Sequence, residues 1–262
     1  MKATVLAGLL LMVVGQQPAL QLKNVQATYG TFGPVRTAGP LLPGDILTLP
    51  FDIDGVTVKD GKATYALSTE VLSQGKVQYR QPAKDQEVLL ALGGNTLQGV
   101  AQFEIGLNTP PGEYEFKVSV TDSATKQTQS FTQKHTVAPK GFGLVRLTTT
   151  LDADGEGHTT LLQAGQTLWV NCSAVGFERD KTTTQPNLTF KLSVLDGAGQ
   201  PSGGKPFTGT VDKDVPAMIA ALPGQFPLPL NRAGKFTVVV EATDNLAKKS
   251  SKLSFPIDVK GR

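Results

Sequence analysis

The residues best placed to do chemistry lie in "DADGEGHTTLLQ", residues 152–163, where Asp152, Asp154 and Glu156 alternate as the oxygen ligands of a calcium loop do. Gly157 holds the sixth position, where such a loop turns sharply, but the twelfth is Gln163 instead of the bidentate Glu that closes it. The corresponding stretch earlier in the chain, "YGTFGPV", has no carboxylate. The segment is therefore read as a polar turn, with Asp152, Asp154 and Glu156 as the sole metal candidates and no cofactor implied.

Other catalytic chemistry finds little material. Acyl transfer needs a nucleophile, a base and an orienting group, and the chain has two histidines, His135 and His158, neither with a second His or Cys at ligand spacing. Both read as surface residues. The 22 Asp and Glu offer many pairs that could serve as acid and base on a glycoside, yet none is set apart by its surroundings. No catalytic residue is assigned, and the chain is not expected to be an enzyme. Aromatic residues are 6% of the chain, and Phe32, Tyr79 and Phe177 are the loop or edge candidates for stacking on a sugar, although packing at the sandwich ends is the better reading of all three. The two glycosylation-type triplets, at Asn171 and Asn187, fall near strands expected to be half-buried and receive no role. Cys172, in "TLWVNCSAVGF", reads as a small buried hydrophobe, and as the one cysteine it excludes an intrachain disulfide.

The elements that carry these residues repeat. "GEYEFKVSVTD" (112–122) returns as "GKFTVVVEATD" (234–244), "QFEIGLN" (102–108) as "QFPLPLN" (225–231), "YALS" (65–68) as "FKLS" (190–193) and "LLPGD" (41–45) as "LLQAGQ" (161–166). Strict alternation places Tyr114, Phe116, Val118 and Val120 on one face of a strand, and Phe236, Val238, Val240 and Ala242 on one face of its counterpart. A one-residue slip would expose all four, so the pattern fixes the inward face. Asp60-Gly61 suits a tight hairpin. One helical turn is predicted, because Val215, Met218, Ile219 and Leu222 in "KDVPAMIAALPG", matched by "KDQEVLLALGG", have the spacing of a helix face. It would plug the end of a sheet sandwich. "VAPKGFG" (137–143) reads as a short linker between two cores, each with its own complete set of strands.

The N-terminus "MKATVLAGLLLMVVGQQPA" has Lys2 ahead of an apolar run from Val5 to Val14, followed by small and polar residues. That is the pattern of a secretory signal peptide, cleaved after Gly15 or, with a poorer fit, after Ala19. The run is about half of the ~20 residues that a bilayer span requires, so no transmembrane anchor is expected after processing. Net charge is +3 with 18% charged residues, too balanced a surface for a nucleic-acid partner.

The segments "GEYEFKVSVTD" and "GKFTVVVEATD", each followed by a polar turn and "SFTQKHTV" or "LSFPIDV", resemble the last two strands of bacterial immunoglobulin-like or fibronectin-III-like domains. The resemblance implies an all-β fold of two tandem antiparallel sandwiches, residues 20–138 and 139–262, behind a signal region of residues 1–19. Tyr114 stands where such folds place a tyrosine corner, and Phe236 lacks the hydroxyl. With no catalytic group assigned and an export signal at the N-terminus, a non-catalytic protein is expected, exported to the periplasm or the exterior. It would contact a protein or a polysaccharide of the envelope or exterior. A periplasmic strand-pairing chaperone is the alternative, and a hydrolase on a sandwich scaffold a third.

Overall fold

The computed structural model describes residues 19–37, 39–159 and 161–261; the signal region expected at residues 1–19 lies, up to residue 18, outside them. Among the described residues there is no helix, and sixteen strands follow one another: β1 (Gln21–Lys23), β2 (Ile46–Asp54), β3 (Val58–Lys59), β4 (Lys62–Ser73), β5 (Lys76–Leu89), β6 (Thr96–Glu104), β7 (Gly112–Asp122), β8 (Thr128–Val137), β9 (Gly143–Thr150), β10 (Leu162–Gln163), β11 (Thr167–Val175), β12 (Leu188–Leu195), β13 (Phe207–Val211), β14 (Ala221–Pro229), β15 (Gly234–Asp244) and β16 (Lys249–Lys260). A sheet ordered β1-β2-β6 faces one ordered β3-β4-β7-β8, in which β5 also pairs with β4; a sheet ordered β9-β11-β14 faces one ordered β10-β16-β15-β12-β13. The strand-to-strand pairings are antiparallel except β10 with β16.

Each pair of sheets encloses one cluster of buried apolar side chains, the first around Leu49, Phe103, Phe116 and Val118, the second around Val170, Phe190, Val240 and Phe255. The alternation read from β7 and β15 is the packing: Tyr114, Phe116, Val118 and Val120 are buried, as are Val238, Val240 and Ala242, with Phe236 partly buried beside them. Asp60 and Gly61 both have positive φ, 52° and 72°, and turn β3 directly into β4. Cys172 is buried in the second cluster, and burial pushes its thiol up to about 12.

The recurring Thr-Asp at the end of the repeated strand has a specific use. Asp122 Oδ1 accepts the N–H groups of Ala124 and Thr125, closing the β7–β8 turn, while Oδ2 accepts the N–H of Thr57 from the β2–β3 connection. Asp244 does the same with Leu246, Ala247 and Glu178. Both carboxylates are almost fully buried, so one short side chain supplies the acceptors for a hairpin and for the loop beneath it. Burial pushes the Asp122 carboxyl up, but its bonds from Thr57, Ala124 and Thr125 outweigh burial and hold it below the usual carboxylate value. A depressed value in the folded state means that this contribution is complete above about pH 4 and is lost as pH falls through the folded value. In urea titrations between pH 7 and pH 3, Asp122→Asn should therefore flatten the acid limb of the stability curve; an unchanged slope would show that the carboxylate is not coupled to folding.

The expected helical turn at 215–222 is absent. Asp214 has a φ of 59°, Pro216 stands two residues on, and β14 begins at Ala221, so the apolar run is too short and too interrupted to nucleate a helix. The matching "KDQEVLLALGG" is the end of β5 and the turn after it. Val215 and Leu222 still enter the second cluster with Ile219 against it, while Met218 is left 86% exposed. Arg179 holds this loop by donating to the carbonyls of Pro216 (3.0 Å) and Ile219 (2.9 Å).

The two cores are joined by more than the segment that links them in sequence. Tyr29, early in the chain, packs in the second cluster with its ring 6.3 Å from that of Phe255. Asp45 binds Arg36 Nη2 through Oδ2 (2.5 Å), and its Oδ1 accepts the N–H of Ile46 and of Arg146 in β9, each at 2.9 Å. Arg146, held at a φ of 54°, also donates Nε–H to the carbonyl of Gly44.

Candidate functional site

The expected metal loop does not gather its carboxylates. Asp152 Oδ1 accepts the N–H groups of Gly155 (2.8 Å) and Glu156 (3.0 Å), Leu151 N–H reaches the Gly157 carbonyl, and Asp154 and Glu156 are exposed. The backbone bonds, that from Glu156 first, hold the Asp152 carboxyl below its usual value. Its oxygens are thus committed to folding their own turn, and among the described residues no group of three or more His, Cys, Asp or Glu side chains could share an ion. Melting the protein in chelator and then in about 1 mM calcium should give the same transition temperature. A rise of several degrees that vanishes when Asp152, Asp154 and Glu156 become Asn, Asn and Gln would establish a metal site, because a ligand that binds only the folded state must stabilise it.

The histidines part company. His158 is exposed, whereas His135 on β8 is half-buried, edge-on to Phe116 with ring centroids 5.9 Å apart. Burial first, then the positive charge of Arg36, lowers its pKa, and its Nε2 is buried without a hydrogen-bond partner. The sequence reading of His135 as a surface residue is corrected accordingly: its position on β8 faces the β7 aromatic next to it.

Of the three stacking candidates, Phe32 lies half-buried in the loop after Tyr29, and Phe177 packs against the second core beneath the guanidinium of Arg179, 5.4 Å from the ring centre. Tyr79 differs. It is 56% exposed and stands on the wall of a groove of about 460 Å³ between β5 and β6, within the range of small-ligand sites.

The groove follows from unequal sheet widths. The register puts Tyr79 opposite Val71 and Gln81 opposite Thr69, and directly paired residues share a face. Thr69 is buried and Val71 packs against the first core, so Tyr79 and Gln81 stand on the inner face of their sheet. The facing sheet stops at β6, its edge strand, and β5 overhangs it. Every residue of β5 but Val88 is exposed, including those on the inner face. Phe103 and Phe116, in edge contact at 5.1 Å, line the groove with Tyr114, whose hydroxyl donates to the Pro110 carbonyl at 2.9 Å and fastens the β6–β7 connection. That bond is the tyrosine corner expected from the sequence. In the second half Phe236 has no hydroxyl, and Arg232 covers its ring instead, 4.9 Å from the centre.

The rim is amide-rich. Gln78, Gln81 and Gln102 line the groove, each with one long bond inside the protein: Gln78 Nε2 to the Lys76 carbonyl (3.3 Å), Thr69 hydroxyl to Gln81 Oε1 (3.4 Å) and Gln102 Nε2 to Thr31 Oγ1 (3.4 Å). Since an amide offers two donor hydrogens and an acceptor oxygen, Gln78 and Gln81 keep capacity to spare, whereas Gln102 alternates with the inward Phe103 and reaches over the outer face of β6 to Thr31. Glu104, the one charged residue of the lining, alternates to the same outer face. Sequence reasoning found Tyr79 but not Gln78, Gln81, Gln102 or Glu104, because nothing in a single strand reveals that the opposite sheet ends before it.

Among the described residues no helix is long and apolar enough to cross a membrane. No protein-family model and no curated relative matches the sequence. Among solved structures the chain is similar to the Streptococcus agalactiae AgI/II polypeptide BspA C-terminal domain, at 10% identity and a TM-score of 0.30, over 91% of this chain and 100% of that one.

Proposed function

We propose that the chain is a non-catalytic interaction module made of two tandem immunoglobulin-like sandwiches, residues 20–138 and 139–262, exported to the periplasm or the exterior. There it holds a macromolecule of the envelope or its surroundings in the groove between β5 and β6. The observation that carries this reading is Tyr79, a large ring left more than half exposed beside Phe103, Phe116 and two under-used amides, Gln78 and Gln81. The buried carboxylates elsewhere have structural tasks: Asp122 and Asp244 close hairpins and Asp45 ties loops together. The strand-pairing alternative is less well served, because the free edge of β5 is interrupted by Pro82, by two irregularities in its pairing and by Lys76, Arg80 and Lys84. These are the devices that keep edge strands from accepting another strand.

A photoreactive phenylalanine analogue placed at Tyr79 tests the reading in the native host. Adducts are expected there and not with the same group at Thr208, an exposed position on β13. Equal labelling at the two positions would overturn the assignment of the groove.

A further inference from the structure

We infer that the occupant of this groove is a short stretch of a neutral carbohydrate chain; the inference rests on the reading of the groove as a binding surface. Three features select it. The negative face of an aromatic ring attracts the polarised C–H groups on the flat face of a sugar ring, and Tyr79 leaves more than half of its surface exposed beside the opening. Sugar hydroxyls are donors and acceptors at once, and so are the amides of Gln78 and Gln81, whose one long internal bond apiece leaves both capacities available. Finally, the lining offers no Lys or Arg. A phosphate, sulfate or uronate group would find no cation there to pair it, whereas a hydroxyl needs none. An extended peptide is disfavoured by the chemistry of the wall itself, since an added strand needs a continuous row of backbone donors and Pro82 and the irregular pairing break the row on β5.

The test titrates the full exported chain by calorimetry with short neutral oligosaccharides (β-linked glucose, N-acetylglucosamine, mannose and galactose series) and with an anionic uronate series. At least one neutral series is expected to bind. Tyr79→Ala should weaken it about tenfold, equivalent to about 1.4 kcal/mol, whereas Tyr79→Trp should retain it. Gln78→Ala should weaken it by a smaller factor. Thermal melts of the variants should match the parent, because Tyr79 contributes exposed surface. The inference is overturned if no neutral series binds at about 10 mM sugar, if binding survives Tyr79→Ala unchanged, or if the uronates bind more tightly than the neutral sugars. The crosslinking experiment separates this failure from that of the wider reading. A protein captured at position 79 without any sugar binding leaves the groove a binding surface and removes carbohydrate as its ligand; no capture and no sugar binding removes both.

Discussion

Replacing Asp45 with alanine should cost the folded chain about 3–5 kcal/mol, a large share of the 5–15 kcal/mol that keeps a typical domain folded. Asp45 is 3% exposed, and its carboxylate serves donors from three places: Arg36 in the loop after Tyr29, Ile46 at the start of β2, and Arg146 in β9. The Arg36 side chain is nearly as buried, at 9%. Alanine would leave its guanidinium without a counter-charge and two N–H groups without an acceptor, which is far costlier than never having built the pair. Urea unfolding of Asp45→Ala should show the loss as a lowered midpoint. The paired change Asp45→Leu with Arg36→Met should recover much of it, because the desolvated charges disappear together. A loss below about 1 kcal/mol in the single variant would mean that the pair is solvated and the joint between the two cores is soft.

Val118→Asp should be at least as damaging. Val118 has no exposed surface and lies on β7 between Thr69 of β4 and Phe131 of β8, so an aspartate there would carry a carboxylate into the first core with no partner for its charge. The penalty is expected to be about 4 kcal/mol or more, and the same holds for Val240→Asp in the second core. Lys117, one residue away, points to solvent, where its ammonium sits 3.6 Å from Glu70; such exposed pairs contribute little, and Lys117→Ala should stay within about 0.5 kcal/mol of the parent. Chemical denaturation of the three variants provides the comparison. Comparable losses at 117 and 118 would contradict the assignment of the strand's two faces.

What could be read from the sequence follows from how local each feature is. The inward set Tyr114, Phe116, Val118 and Val120 is written in a strict two-residue period, and the positive φ of Asp60 and Gly61 in a dipeptide, so both were recoverable without coordinates. The same holds for the Tyr114 hydroxyl bond, which the resemblance to sandwich domains anticipated. The predicted helical turn failed because four apolar residues satisfy a helical spacing by chance, while the left-handed Asp214, Pro216 and the pull of Val215 and Leu222 into the core govern the backbone. Asp45 gave no warning, since an Asp after Pro-Gly looks like any turn residue until Arg36 and Arg146 close on it. The groove was the least visible feature. The β5 sequence "KVQYRQPAKDQEVL" has no sustained alternation, and its open inner face depends on the opposing sheet ending at β6, a relation between strands far apart in the chain.

The pairing of β10 with β16 sets a mechanical property. Leu162 lies beside Val259 in parallel register, and in the first half Leu41 lies beside Val137 in the same sense. In each half, a segment early in the sandwich is fastened to its last strand, by Leu41 N–H to Thr136 O and Ala138 N–H to Leu41 O in one and by Ala164 N–H to Lys260 O in the other. Tension drawing the two flanks of a sandwich apart pulls these partners in opposite directions along their own axes. Their bonds are then sheared together, where an antiparallel pair pulled from one end would unzip bond by bond. A pull on the two flanks of either half would therefore load these end pairs in shear before it reached the strands between them.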